Sequence, residues 1–338
     1  MKAEDGVKLC YQSEFGGGHL LPQRDIVVDY ISQERVEACP LSDEVHLLED
    51  IGGGLCRMHL NSLDAKNLHS ETIAGLFQAV SEKARGTMAG FLTKVDVLKE
   101  LCIQGSMPFS PMELDAFLEK YERQGYPLCR HSDTFRNTYH PAYRLVGRQA
   151  KTFLPLLLWL DGQKDQEKPL AIAIDGSSGS GKSSLSVWLQ AIYGHCNVFH
   201  MDDFFLPQEQ KTEERLNTPG GNVDWERFLL EVLTPLQKGN PFSYRPFDCS
   251  TGELGEPMKV VPQRLNIIEG VYSHHPALRK AYDLMVFLSI DRAEQSKRIL
   301  QRNGEYMHSR FINEWIPLED MYFDQMKIKD KADLIMST

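Results

Sequence analysis

Apolar positions recur along this chain in two different rhythms, and the rhythm changes near residue 165. Over residues 70–83, Ile73, Leu76, Phe77 and Val80 fall on one face at helical spacing, which predicts a helix. A second helix is expected from Ser110, with Ser110 as N-cap, Pro111 in the first helical position and Glu113 at capping-box distance. It should run to Arg123 and stop at Gly125. Further on, short apolar runs alternate with helical stretches. Strands are expected over 170–174, 197–200, 264–268, 284–290 and 333–336, and helices over 182–193, 224–236 and 293–302. Short apolar strands separated by helices predict a parallel sheet covered on both faces. Residues 161–169 are polar and turn-forming, and read as a linker or a surface hairpin. The expected organisation is a mainly helical domain over 1–160, a linker over 161–169 and an α/β domain over 170–338.

Composition narrows the class. Of 338 residues, 42% are apolar and 25% charged, which excludes a disordered tail, a fibre and a small disulfide scaffold. The net charge is −10; divided at residue 165, each part carries −5, from 18 basic against 23 acidic residues and then 19 against 24. Without a basic half there is no general nucleic-acid footprint and no attraction to anionic membranes. The longest strongly apolar run, 153–160, is too short to span a bilayer and is interrupted by Pro155. Residues 1–5 have no signal-peptide character. Seven cysteines (Cys10, Cys39, Cys56, Cys102, Cys129, Cys196, Cys249) stand singly, with no Cys-x-x-Cys pair. Free thiols in a reducing, cytoplasmic setting are expected, several of them buried as small hydrophobes.

The first half carries no motif that assigns it a role. Gly16-Gly17-Gly18 before His19, and Gly52-Gly53-Gly54, mark turns but lack the context of a phosphate cradle. Its histidines show no paired metal-ligand spacing. The stretch 131–144 is dense in polar and aromatic groups; it reads either as pocket lining or as solvated loop and core.

The second half is more specific. Gly176-Ser177-Ser178-Gly179-Ser180-Gly181-Lys182-Ser183, followed by Ser184, fits G-x-x-x-x-G-K-[ST], the Walker A pattern, at every fixed position. It follows an expected strand and opens an expected helix, which is the context the motif requires. Glycines let successive backbone N–H groups curl round a phosphate, and the helix presents its positive end. Lys182 would reach the β and γ phosphates, and the Ser183 hydroxyl would ligate Mg²⁺. A nucleoside triphosphate is the expected ligand. There is no Asn-Lys-x-Asp motif of a GTP switch and no Leu-Ser-Gly-Gly-Gln signature of a transport ATPase. In His200-Met201-Asp202-Asp203-Phe204-Phe205, two carboxylates end the second strand, where one can accept the proton of an attacking hydroxyl; a pair of solvated turn acids is the plain alternative. Glu269 ends the apolar strand Leu265-Asn266-Ile267-Ile268 and is placed like an acid holding Mg²⁺, or simply terminates a strand.

At these residues the chain resembles the uridine kinase and phosphoribulokinase family of P-loop kinases, over about residues 169–338. The loop GSSGSGKSS is similar to that family's phosphate loop. The resemblance implies Asp202 of MDDFF as catalytic base, and Asp224 of Asn222-Val223-Asp224-Trp225 as an acid that binds sugar hydroxyls. It also implies Glu269 of IIEG as a magnesium-site residue, and 289–300 as the start of an arginine-bearing lid. Departures lie on the acceptor side. The segment Tyr244-Arg245-Pro246-Phe247-Asp248 lacks the family's following His, Phe205 stands for a Tyr, and Gln301 replaces a lid arginine, with Arg302 one place on. Asp203, Asp224, Tyr244 and Arg245 are the candidate acceptor residues, although Tyr244 and Arg245 equally suit a strand edge. Arg298 and Arg302 either clamp phosphate or pair with Glu294 and other surface acids. The expected fold is a P-loop NTPase α/β domain with a mainly helical amino-terminal domain. The expected function is ATP- and Mg²⁺-dependent phosphorylation of a hydroxyl on a small metabolite, a nucleoside or a sugar. A nucleotide-dependent regulatory or binding protein is the rival reading. Homo-oligomerisation stays open.

Overall fold

The computed structural model describes residues 1–17, 23–38, 46–62, 64–81, 86–164, 166, 168–248 and 250–338. Gly18, His19, Cys39, the tail of the first expected helix beyond Ser81, Asp165, Glu167 and Cys249 lie outside the described residues. The chain divides into two compact units, Met1–Gly162 and Gln163–Thr338.

The amino-terminal unit is mainly helical. Its elements are α1 (Ala3–Phe15), α2 (Arg24–Glu37), β1 (Leu48–Gly52), β2 (Leu55–His59), α3 (Ser70–Ser81), α4 (Met88–Ile103), α5 (Pro111–Arg123), α6 (Asp133–Tyr139), β3 (Tyr143–Gly147) and α7 (Leu154–Gly162). The capping box expected at Ser110 is formed. Its hydroxyl accepts from Glu113 N at 3.2 Å, and the Glu113 carboxylate accepts from Ser110 N at 2.7 Å. Val7, Phe91, Val95 and Leu114 centre one core. The antiparallel sheet β1-β2-β3 was not expected from the sequence. Strand β1 buries Leu48 and Ile51, three apart, instead of alternating, so it lacks the two-residue period of a half-buried strand. Gly52, Gly53 and Gly54, all at positive φ, turn β1 into β2.

The carboxy-terminal unit is a P-loop NTPase α/β fold. Its main elements are β4 (Leu170–Gly176), α8 (Lys182–Tyr193), β5 (Cys196–His200), β6 (Leu265–Glu269), β7 (Leu284–Ser289), α9 (Arg292–Arg310, broken at Gly304), α10 (Ile316–Gln325) and β8 (Leu334–Ser337). The five strands are parallel in the order β8-β7-β4-β6-β5. Both β4 and β6 are buried along their whole length, as a central strand covered on two faces must be. The helix expected over 224–236 spans 225–237, with a wide π turn at Leu229–Leu233. Between it and β6, two short hairpins pair Phe242–Tyr244 with Met258–Val260 and Phe247–Asp248 with Glu253–Leu254. Among the described residues no helix is long and apolar enough to cross a membrane. Cys56, Cys102 and Cys129 are buried free thiols, and Cys10 and Cys196 are partly buried.

Candidate functional site

Strand β4 ends where the phosphate loop begins, and the sheet dictates the residue there. Gly176 has φ +140°, and a Cβ on it would lie 2.1 Å from the Leu288 carbonyl oxygen of β7. The chain then turns through Ser177, Ser178, Gly179, Ser180 and Gly181 into α8. Buried Lys182 folds back over the turn, its Nζ donating to Gly176 O at 2.7 Å and Ser177 O at 3.2 Å. Beneath it, buried Asp175 accepts from Gly176 N at 2.7 Å, His274 N at 2.9 Å and the Tyr322 hydroxyl at 2.8 Å.

The cradle holds an anion of the protein's own. Glu319 of α10, only 4% exposed, accepts from Ser178 N at 2.9 Å, and its other oxygen accepts from the Ser178 hydroxyl. Burial pushes the Glu319 carboxyl up, against the pull of Lys182 and the Ser178 bonds. A loop N–H and a hydroxyl ahead of a helix that both reach carboxyl oxygens make a donor site of the kind that suits phosphate oxygens. Two α9 side chains brace the same turn. Buried Gln295 donates to Ser178 O at 2.9 Å, and Arg298 donates to Gly179 O at 3.4 Å while pairing with Glu294 at 2.9 Å.

A cluster of acids flanks Lys182 and Ser183. Glu269 stands in register beside His200 on the neighbouring strand, so both side chains leave the same face of the sheet. The Glu269 carboxylate accepts from the Ser183 hydroxyl at 3.0 Å and from His200 Nδ1 at 2.6 Å. That second bond raises the His200 pKa. Asp202 lies in the turn just beyond β5, after Met201, and is exposed to solvent. Desolvation and then the Glu269 charge raise its pKa, while Lys182 and His200 oppose the shift. A hydroxyl and a carboxylate side by side suit a hard divalent cation that takes its remaining oxygens from phosphate and water. Among the described residues no group of three or more His, Cys, Asp or Glu forms a self-sufficient metal site.

The chain is similar to the uridine kinase of Latilactobacillus sakei, 28% identical over 151 residues, which covers 43% of this chain and 70% of that protein. It is also similar to the uridine kinase of Clostridium perfringens, 22% identical over 186 residues, covering 50% and 88%. Over roughly half of its length the chain resembles uridine kinases. Among solved structures, one described as a possible uridine kinase from Bacillus stearothermophilus is similar at a TM-score of 0.43 and 20% identity, covering 55% of this chain and 98% of that one. No family model matches the chain.

Beside this site in the carboxy-terminal unit, the MDDFF and NVDW segments are zipped together. Phe205 pairs with Val223, and Asp224 N donates to Phe204 O at 2.7 Å. Buried Asp224 caps the helix that follows, accepting from Arg227 N at 3.0 Å, and pairs with the Arg227 guanidinium at 3.5 Å. Arg227 ties the region together: it lies 4.2 Å over the Phe204 ring and donates to Asp203 O at 3.1 Å and Arg245 O at 2.7 Å. Asp203, its pKa raised by burial, accepts a long 3.4 Å bond from the Tyr244 hydroxyl. Tyr244 is buried against Phe204 and Phe199, so its ring packs the core while its hydroxyl reaches the acid. Arg245 donates to Gly255 O at 2.7 Å and Leu254 O at 2.6 Å, holding a hairpin. Arg302 is exposed and, among the described residues, bonds its neighbour Asn303, and Ser184 is exposed on α8. The structure thus gathers Lys182, Ser183, Asp202 and Glu269, brings Arg298 to the loop, and leaves Arg302 and Arg245 on other partners. Sequence reasoning missed Glu319, Gln295, His200 and Arg227. Of these, His200, two residues ahead of Asp202 at the end of the expected strand, carried a readable signal.

Proposed function

We propose that the chain is an ATP-dependent phosphotransferase acting on a hydroxyl of a small polyhydroxylated metabolite, a nucleoside or a sugar. The observation that carries this reading is the convergence of Asp202, a carboxylate of raised pKa, with Lys182, Ser183 and Glu269 at the mouth of an anion-accepting loop. In this reading the loop amides and Lys182 hold the triphosphate in line for attack. Ser183 and Glu269 would hold Mg²⁺, which when bound neutralises charge on the phosphate oxygens. Asp202 accepts the proton of the acceptor hydroxyl and orients its oxygen; its raised pKa makes it the stronger base. Arg298 closes on the developing charge from α9. A cavity of about 420 Å³ beside Asp224, lined also by Leu206, Gln210, Thr212, Arg215 and Glu226, is the candidate acceptor pocket. Its carboxylates and amide suit several hydroxyls at once. All of this chemistry lies in residues 170–338, with 161–169 as linker and 1–160 as a separate domain.

The test is a phosphoryl-acceptor screen with labelled ATP and Mg²⁺ over nucleosides, sugars and other small alcohols. Label should move to one hydroxyl class. Slow hydrolysis that no acceptor stimulates would overturn the reading in favour of a nucleotide-dependent regulator.

A further inference from the structure

The polar and aromatic stretch 131–144 takes no part in phosphoryl transfer. In the amino-terminal unit it helps wall a cavity of about 950 Å³, within the size range of small-molecule sites. One wall is fixed by a buried network. Asp5 accepts from Ser132 N at 2.9 Å and the Ser132 hydroxyl at 2.8 Å, and its Oδ1 lies 3.3 Å from His131 Nδ1. A carboxylate only accepts, so Nδ1 donates, and Nε2 accepts from the Tyr143 hydroxyl at 2.7 Å. Gln12 donates to the same hydroxyl at 3.0 Å, and Arg57 lies 4.8 Å over the Tyr143 ring while bonding Gln12 at 2.9 Å. Burial pushes the His131 pKa down to about 4, so this wall is uncharged at its imidazole near neutrality.

The charge on the cavity is unbalanced. Lys8, Arg130, Arg136 and Arg144 line it, and the one lining carboxylate among the described residues, Glu34, is already paired with Arg144 at 2.6 Å. The side chains of Lys8, Arg130 and Arg136 make no hydrogen bond or ion pair among the described residues. Lys8 is half-buried, and burial, together with the Arg57 charge, lowers its pKa to about 8. Arg130 and Arg136 are exposed at the cavity rim, and in a chain of net charge −10 three such cations around one cavity form a local positive field that favours an anion. Val27, Phe77 and Leu145 supply buried apolar surface in the same wall. Two or more positive charges facing apolar surface match a dianion with an apolar body better than a monocarboxylate.

We propose that this cavity is a second small-molecule site, which binds a phosphate monoester carrying an apolar or aromatic group through Lys8, Arg130 and Arg136. It is independent of the phosphoryl-transfer reading, because every lining residue belongs to the amino-terminal unit.

Phenyl phosphate is the probe, titrated calorimetrically into the full chain with a non-hydrolysable ATP analogue and Mg²⁺ present to occupy the phosphate loop. One site is expected, with benzoate at least about tenfold weaker and phenol not binding. Arg136→Ala and Lys8→Met should each weaken phenyl phosphate about tenfold or more without changing the affinity for the ATP analogue. If Lys8→Met does not fold, Arg136→Ala on the exposed face of α6 decides alone. No binding of phenyl phosphate or of uridine monophosphate up to about 10 mM would overturn the proposal. So would equal binding of phenol, or affinity untouched by Arg136→Ala.

Discussion

Asp202 and Asp203 share one turn but not one environment. Asp202 feels Glu269 and Lys182, whereas Asp203 meets Tyr244 and, through its carbonyl, Arg227. Asp202→Asn keeps size and hydrogen bonding but cannot take a proton, so transfer to the acceptor should fall about 10²–10⁴-fold with nucleotide affinity nearly unchanged. Steady-state kinetics beside nucleotide titration checks this, with Asp203→Asn as the control. If Asp203→Asn is the damaging change, the base belongs to the other carboxylate. The sign of the pH dependence follows from the raised pKa. A base works deprotonated, so kcat/KM should drop with acidification at a pH above the ordinary Asp range of about 3.9. The limb should vanish in Asp202→Asn.

At the level of elements, legibility tracks sequence distance. Strand, loop and helix at 170–193 were readable because Gly176, Gly181 and Lys182 act within one turn of each other. Ser110 and Glu113 were readable for the same reason. The β1-β2-β3 sheet was not, because β3 pairs with β2 almost ninety residues earlier and β1 lacks alternation. Glu319 reaches Ser178 across 141 residues, and no local pattern announces such a contact. Arg245 carried a motif position, yet hairpin carbonyls ten residues on claim its guanidinium. Gly176 gives the element-scale prediction. In Gly176→Ala the Cβ meets the β7 backbone, which has no flexible end to move, at a φ that alanine avoids. The carboxy-terminal unit should lose roughly 2–4 kcal/mol, read from chemical denaturation, along with most of its ATP affinity. A folded, tight-binding Gly176→Ala would show that the loop does not need the strand end as drawn.

At the level of the whole molecule, the division at 162–163 leaves every phosphate-loop residue in one unit. A fragment of residues 163–338 should therefore fold and bind ATP with Mg²⁺ at close to full-length affinity, by calorimetry. A folded fragment without nucleotide affinity would mean that the two units work as one. The carboxylate of Glu319 has a further consequence, for turnover. Because Ser178 already donates to the Glu319 carboxyl group, nucleotide entry under the proposed function would be an exchange in which a phosphate displaces a group tethered beside it. The tether would set a standing local concentration of competitor, so the measured Kd would be the intrinsic Kd divided by the share of molecules whose loop has let go. Glu319→Gln weakens the competitor and should tighten ATP binding severalfold while slowing ADP release, both visible by stopped-flow. Unchanged or weaker ATP binding would mean that Glu319 supports the loop and does not compete for it. Under the same reading, the exchange run backwards would escort the product out: as ADP loosens, the Glu319 carboxyl group is the nearest replacement for it at Ser178.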